Sequence, residues 1–255
     1  MFPEAPSVLK RIVAILDCFT LDQTQLGVRE VARMAELTTS TAGRLMSEMK
    51  EIGLLQQDSA NRTYSLGTKI LAWSGVYLSS LDLRTIALPI MGDLRRTTSE
   101  TITLYLLDNN ERLCVERMES YHNVRMVSRV GHRLPLYAGS AGKAILAFLP
   151  DQRAEEILRT TDMKPYTPHT FIDRDALRTE LIRIRRQGYA ESHGEWVAEA
   201  SGVAAPILGQ DGEVLGAISI SGPGSRFTPQ AVEQYAAEVL KATAQLSRLM
   251  GYIYA

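Results

Sequence analysis

Three short groups of residues have side chains and spacing suited to binding. Ser140-Ala141-Gly142 open a predicted helix that runs to Leu149 and stops at Pro150. The first turn of a helix has backbone N–H groups without helical partners and carries the positive end of the dipole, so it favours an anion. Small side chains there let a ligand approach the backbone. Ser219 and Ser221 are two apart on a predicted strand, Val214 to Ser221, so their hydroxyls share one face. A helix start plus same-face serines makes a receptor for a small carboxylate. The third group, Thr38-Thr39-Ser40-Thr41-Ala42-Gly43-Arg44, starts a helix with hydroxyls, one cation and no acid. A helix that reads the major groove needs small, polar, acid-free leading turns. Its hydroxyls reach phosphates or base edges, and Arg44 a phosphate or guanine. Glu48 and Glu51 fall at its far end.

Plainer readings stand beside these. Ser219 and Ser221 facing solvent, or Gly139 and Gly142 as packing glycines, would account for the same residues. Gly142-Lys143 is not a phosphate-binding loop, because Tyr137 stands five residues before Gly142 and Ala144 follows Lys143. Lys143 is therefore expected in a surface or interdomain salt bridge. His193-Gly194-Glu195 offers one His and one Glu without a second spaced His, too little for a metal site. Glu195 is expected to hydrogen-bond the loop over the pocket. No Ser-His-Asp arrangement or nucleophile elbow is evident. Cys18 and Cys114 are far apart and read as core thiols.

These groups need elements to hold them. Ser7 is a candidate N-cap for a helix with Val8, Leu9, Ile12, Val13, Ile15, Leu16 and Phe19 on one stripe. Val28 to Leu37 reads as a second helix, with Val28, Val31, Ala32 and Ala35 inward. The third carries Leu45, Met49 and Ile52 on one face and stops at Gly53. Two short strands, Leu54–Gln57 and Arg62–Leu66, flank the turn Asp58–Asn61 and place Arg62 near the tip of a wing. Together these make a winged helix-turn-helix. A connecting helix follows over residues 67–80.

The remainder alternates strands and helices. Thr101–Leu107 and Leu113–Met118 flank an Asp-Asn-Asn turn, and Val124–Val130 reads as another strand. Asp173–Gln187 is helical and closes at Gly188. Val203–Leu208 and Val214–Ser221 flank Asp211-Gly212. Thr228-Pro229 opens a last helix to about Met250, with Val232, Tyr235, Ala236, Val239, Leu240, Leu246, Leu249 and Met250 on one stripe and Thr243 its polar member. The class is α+β with mainly antiparallel strands.

Composition sets the outer bounds. Of 255 residues, 45% are hydrophobic and 22% charged, enough for a real core without disulfide or metal staples. A net charge of -1 excludes a generally basic nucleic-acid coat. Residues 1–80 hold eight Lys/Arg and eight Asp/Glu, so no basic stripe appears by counting. A neutral winged helix binds nonspecific DNA weakly and gains affinity as a dimer; the alternative is a winged helix used for protein contact. The start has no apolar signal segment, and no apolar run reaches the roughly 18 residues of a membrane helix. A cytoplasmic protein without a membrane partner is expected.

Taken in order, several motifs resemble the IclR (isocitrate-lyase-regulator) family of bacterial transcription regulators. Ser40-Thr41-Ala42-Gly43-Arg44-Leu45, Gly53-Leu54-Leu55 and Arg62-Thr63-Tyr64-Ser65-Leu66-Gly67 resemble its DNA-binding domain. Arg133 to Ala144, Gly188-Tyr189-Ala190, Glu195, Ala204-Ala205-Pro206-Ile207 and Ser219-Ile220-Ser221-Gly222-Pro223 follow in matching order, so the likeness runs from about Ser7 to Leu249. It implies a winged helix-turn-helix over residues 1–66, a linker helix over 67–83 and a GAF-like effector-binding domain over 84–255.

The resemblance places DNA contacts on Thr38, Thr39, Ser40, Thr41, Gly43, Arg44 and Arg62. Effector contacts fall on Ser140, Ala141, Ser192, Ala200, Gly202, Ser219 and Ser221. It implies a double-stranded operator, a homodimer or homotetramer, control of a catabolic operon, and no cofactor, metal or catalysis. The chain departs from the family where Ser192 lies between Glu191 and His193, without a nearby Asp or Asn, and where Tyr137 replaces a common His. Small Ala200 and Gly202 beside Trp196 and Tyr189 point to an aromatic or otherwise bulky carboxylate. The rivals are an enzyme with an assembly-only helix-turn-helix and a DNA-binding architectural protein that senses nothing.

Overall fold

A computed structural model describes residues 7–20, 22–79, 82–123 and 129–253, with backbone alone for 77–79 and 82. Two compact units divide the chain, residues 1–80 and 81–255.

The first unit begins with α1 (Val8–Asp17), where Ser7 Oγ accepts from Lys10 N at 3.4 Å. Then come α2 (Val28–Met34), α3 (Thr39–Glu51), β1 (Leu55–Gln57), β2 (Tyr64–Leu66) and α4 (Thr68–Ser79). Ile15, Cys18, Val31, Ala42, Leu45, Met46 and Met49 close its core. Burial of these side chains, each worth about 1.5–3 kcal/mol, is what holds three short helices together. Two expectations need correcting. Val8, Leu9 and Val13 are exposed, because only one side of α1 meets the core, and Ile52 at the C-cap of α3 is also exposed.

The wing strands pair antiparallel, Leu55 opposite Leu66, and Leu26 bridges to Tyr64. Asp58 Oδ1 accepts from Ala60 N at 2.8 Å, shaping the turn that ends at Arg62. Gly67 fixes how the wing returns. A Cβ there would lie 2.2 Å from the Gly53 carbonyl oxygen.

The second unit starts with α5 (Asp82–Thr98), which sequence reading passed over because Pro89 lies inside it. Its inward stripe of Leu83, Ala87, Ile90, Met91 and Leu94 has helical spacing. Strands β3 (Thr101–Asp108), β4 (Glu111–Met118) and β5 (Arg133–Pro135) follow. Residues 124–128 of the expected strand Val124–Val130 lie outside the described residues, and Arg129 and Val130 are not in a strand. Next come α6 (Ser140–Phe148), α7 (Asp151–Thr160), α8 (Arg174–Gln187), β6 (Ala190–His193), β7 (Ala200–Leu208), β8 (Val214–Pro223) and α9 (Pro229–Leu249). The short α7 and the edge strands β5 and β6 were also missed by pattern, being too brief or too charged to show a period.

One antiparallel sheet has the order β5-β4-β3-β8-β7-β6. On one face, Tyr105, Cys114, Ala190, Ala204 and Ala217 join α6, and α8 packs on α6. The alternate residues Ile102, Leu104, Val203, Ile218 and Ile220 are buried on the other face, and α9 and α5 pack on the sheet. Thr243, the polar member of the α9 stripe, is buried and donates to Val239 O at 3.0 Å. Leu249, expected inward, is exposed at the end of α9.

Gly67→Ala should destabilise the first unit by about 1–3 kcal/mol, since a backbone carbonyl blocks the new methyl. Faster hydrogen exchange at α3 and β2 amides, with the second unit unchanged, is the expected readout. Unaltered protection would show that the approach of Gly53 and Gly67 is not tight.

Candidate functional sites: a polar helix start and a cavity between sheet and helix

The start of α3 is built by its cap. Thr38 Oγ1 accepts from Thr41 N at 3.2 Å and donates to Thr41 Oγ1 at 2.8 Å. The Thr38 hydroxyl therefore serves the helix end, while Thr39 and Ser40 are exposed. Gly43 faces α2, where a Cβ would touch Val28 Cγ1 at 3.4 Å, so its small size serves helix packing. Arg44 is exposed but engaged: its Nη1 donates to Glu48 Oε1 at 2.6 Å. Glu48, one turn further along the helix, thus engages the cation of its leading turns. An exposed i,i+4 pair is worth only about 0.3–0.5 kcal/mol, so Arg44 is held weakly. Arg62 is exposed at the wing turn.

In the second unit, four elements bring the seven expected effector residues to one cavity. Ser140 and Ala141 come from α6, Ser192 from β6, Ala200 and Gly202 from β7, and Ser219 and Ser221 from β8. Ser219 is only 4% exposed, so it does not face bulk solvent. Ser192 lies on a strand, opposite Gly202, and the loop that carries Glu195 comes after that strand. Gly202 leaves space for its neighbour, since a Cβ there would lie 2.9 Å from Ser140 Oγ. Gly142 is a packing glycine, with Leu136 O 2.6 Å from where its Cβ would be.

The cavity measures about 160 Å³. An apolar cavity of roughly 150 Å³ holds benzene, so there is space for one ring. Sequence reading missed the opposite wall, formed by Tyr105, Arg112, His132 and Leu134 from β3, β4 and the segment through β5. These positions lie far away in the chain, and only the antiparallel pairing of β3 with β8 brings them near. Trp196 also lines the cavity, and Tyr166 packs against it with ring centroids 4.0 Å apart. Tyr189, expected near the ligand, is not among the lining residues.

A buried ionic group fixes the start of α6. Lys143 is 1% exposed and pairs with Glu195 and, at 3.4 Å, with Glu180. It is therefore neither at the surface nor between domains: α6 is buried on all sides, so every position on it points into protein. Glu195 Oε2 also accepts from Gly139 N at 2.8 Å, which ties the Trp196 loop to the helix start. Burial raises the Glu180 carboxyl, but Arg183 and Lys143 outweigh it and hold that group below its ordinary value.

Burial pushes the Cys114 thiol up to about 12 and raises that of Cys18. Both stay protonated at neutral pH and are poor nucleophiles. One Ser–His contact does occur: His193 Nδ1 is 3.1 Å from Ser201 Oγ, and His193 Nε2 is 3.6 Å from Glu191 Oε2. His193 and Ser201 alternate with Ser192 and Gly202, so their side chains turn to the opposite face of the sheet from the cavity serines, although Ser201 itself borders the cavity.

Glu195→Ala leaves Lys143 with Glu180 alone, at 3.4 Å, and takes the acceptor from Gly139 N; it should destabilise the second unit by about 2–4 kcal/mol. The Lys143→Met/Glu195→Leu double variant should recover part of that loss, since no charge is then left unpaired. Urea unfolding of the three proteins measures both effects. A single-variant loss below about 1 kcal/mol would mean that water reaches the pair.

Residues 8–59 match the IclR helix-turn-helix domain, and residues 75–248 match the bacterial transcriptional regulator IclR C-terminal family. The chain is 32% identical over 240 residues to the HTH-type transcriptional regulator KipR of Bacillus subtilis, covering 94% of this chain and 95% of KipR. A crystal structure of the Thermotoga maritima IclR aligns with a TM-score of 0.78 at 31% identity, over 96% of this chain and 98% of that one. An IclR homolog from Microbacterium hydrocarbonoxydans, complexed with 4-hydroxybenzoate, aligns with a TM-score of 0.81 at 31% identity, over 95% and 100%. The chain belongs to the IclR family of DNA-binding transcriptional regulators.

Proposed function

We propose that this regulator is ligand-responsive: a small aromatic carboxylate occupies the cavity of the second unit and changes operator binding by the first. The observation that carries this reading is the convergence of Ser140, Ser219 and Ser221, beside the N-terminus of α6, on a cavity of about 160 Å³. The helix start and hydroxyls suit a carboxylate, and the volume suits one ring. The M. hydrocarbonoxydans homolog, whose structure holds 4-hydroxybenzoate, supports the same class of ligand.

On the DNA side, Thr39, Ser40 and Arg44 read the major groove, with Thr41 behind them. Thr38 caps the helix, Gly43 permits its packing, and Arg62 contacts a phosphate from the wing. A homodimer, or a pair of dimers, presents two such helices to a two-fold operator. Leu71 and Trp73 of α4, exposed at 74% and 53%, give the linker helix an apolar face that a second copy covers. Ligand draws the Trp196 loop onto the Ser140 and Ser219 side of the cavity and alters the spacing of the two α3 helices. A near-complete switch needs about 5.5 kcal/mol of differential affinity, which several sites in one oligomer share. Control of a catabolic operon in the cytoplasm fits a regulator that senses a breakdown acid.

The rival reading is an enzyme, and it has one observation in its favour, the His193–Ser201 contact. Ser201 borders the cavity, but His193 does not and is largely exposed, so the two do not present a shielded nucleophile and base to one substrate. Operator binding measured with and without 4-hydroxybenzoate, beside an assay for its consumption, separates the two. The expected result is a changed operator affinity with the acid recovered intact. Turnover of the acid, or operator binding indifferent to every aromatic acid tried, would overturn the ligand-responsive reading.

Arg44→Ala should weaken operator binding by about 1–3 kcal/mol and relax base preference at the contacted position. Arg62→Ala should weaken all sequences alike and lower the salt slope by about one. Fluorescence anisotropy over a salt series measures both. Equal base preference in Arg44→Ala and the parent protein would remove Arg44 from direct readout.

A further inference from the structure

One buried cation in the cavity wall has no carboxylate partner among the described residues. Arg112 is 4% exposed and lines the cavity from β4. Its Nη1 donates to Pro135 O and Ala138 O, both at 2.6 Å, and Nε has no hydrogen-bond partner. The guanidinium lies against the start of α6, since a Cβ on Gly139 would be 3.2 Å from Nη2. Tyr105 flanks it, with the ring centroid 5.3 Å from Cζ. Among the described residues no carboxylate pairs with it: Glu195, the acid that acts on it from nearby, is engaged by Lys143 and Gly139 N. Carbonyl oxygens satisfy geometry but carry no net charge. A buried cation without a counter-ion is costly, and the positive end of α6 beside it adds to the same excess.

We propose that Arg112 is a specificity-determining residue that supplies the counter-charge for a monoanionic effector, so that the cavity selects a carboxylate over a neutral compound of the same shape. This rests on the effector reading above and deepens it. The Pro135 and Ala138 carbonyls hold the guanidinium in place before ligand arrives, so little side-chain entropy is lost on binding. The helix start and serines favour the anion only through partial charges. Arg112 adds a full opposite charge, and only the acid forms an ion pair with it; an amide carbonyl receives a weaker bond.

The test compares 4-hydroxybenzoate with 4-hydroxybenzamide, and benzoate with benzamide, by calorimetry on the full chain. The parent protein should prefer each acid over its amide by roughly 10–100-fold, the range of one charge-assisted hydrogen bond. In Arg112→Met that preference should collapse to a few-fold while amide binding persists. Arg112→Lys, which keeps the charge but loses the fork, should keep part of the preference and guards against a Met variant that fails to fold. Equal weakening of acid and amide in Arg112→Met would show a purely structural role and overturn the assignment. An undiminished preference in both variants would overturn it too, while leaving the effector reading intact. If the parent protein binds none of the four compounds at millimolar concentration, both the effector reading and the assignment fall.

Discussion

The second unit depends on how the start of α6 is held. A helix buried on all sides has nowhere to send its first N–H groups except into protein or into a cavity. Glu195 takes the N–H of Gly139 just ahead of the helix and pairs with Lys143 one turn later. The helix start is thereby pinned from the side, and Ser140 and Ala141 of its first turn line the cavity. The same carboxylate belongs to the loop that carries Trp196. One buried acid thus joins the cavity's floor to its covering loop. Replacing such a pair with apolar side chains often costs little stability, so its value here is positional.

Around that point, the sheet sorts its residues by parity. Ser219 and Ser221 face α6, while Ile218 and Ile220 face the layer of α5 and α9. A one-residue slip of β8 would exchange serines for isoleucines and abolish both the cavity and the apolar layer behind it. Register is therefore protected from both sides: by hydrophobic burial on one face and by a polar cavity on the other. Small residues do the rest, with Gly202 making way for Ser140 and Gly142 letting the helix approach Leu136.

The first unit solves a different problem with less material. Its recognition helix must show polar groups to solvent and still be rigid. Thr38 caps it, Gly43 lets α2 come close, and Leu45, Met46 and Met49 anchor its other side. The Arg44–Glu48 pair keeps the long cation close to the helix. With residues 1–80 carrying equal numbers of acids and bases, affinity has to come from placement rather than from a general positive field.

What the chain alone determined was whatever depends on local order: the cap at Ser7, the helix starts near Thr38, Asp173 and Thr228, the wing turn, the hairpin turns and the same-face serines. The motif order carried the family, and through it the seven cavity residues. Tertiary structure decided the rest. It chose which side of α1 is buried, kept α5 helical despite Pro89 and buried Lys143 against Glu195. It also brought Tyr105 and Arg112 across the sheet to face Ser140. The reason is physical. Caps and turns are contacts among residues three or four apart, whereas burial and counter-charge are set by strands paired across a hundred residues of chain.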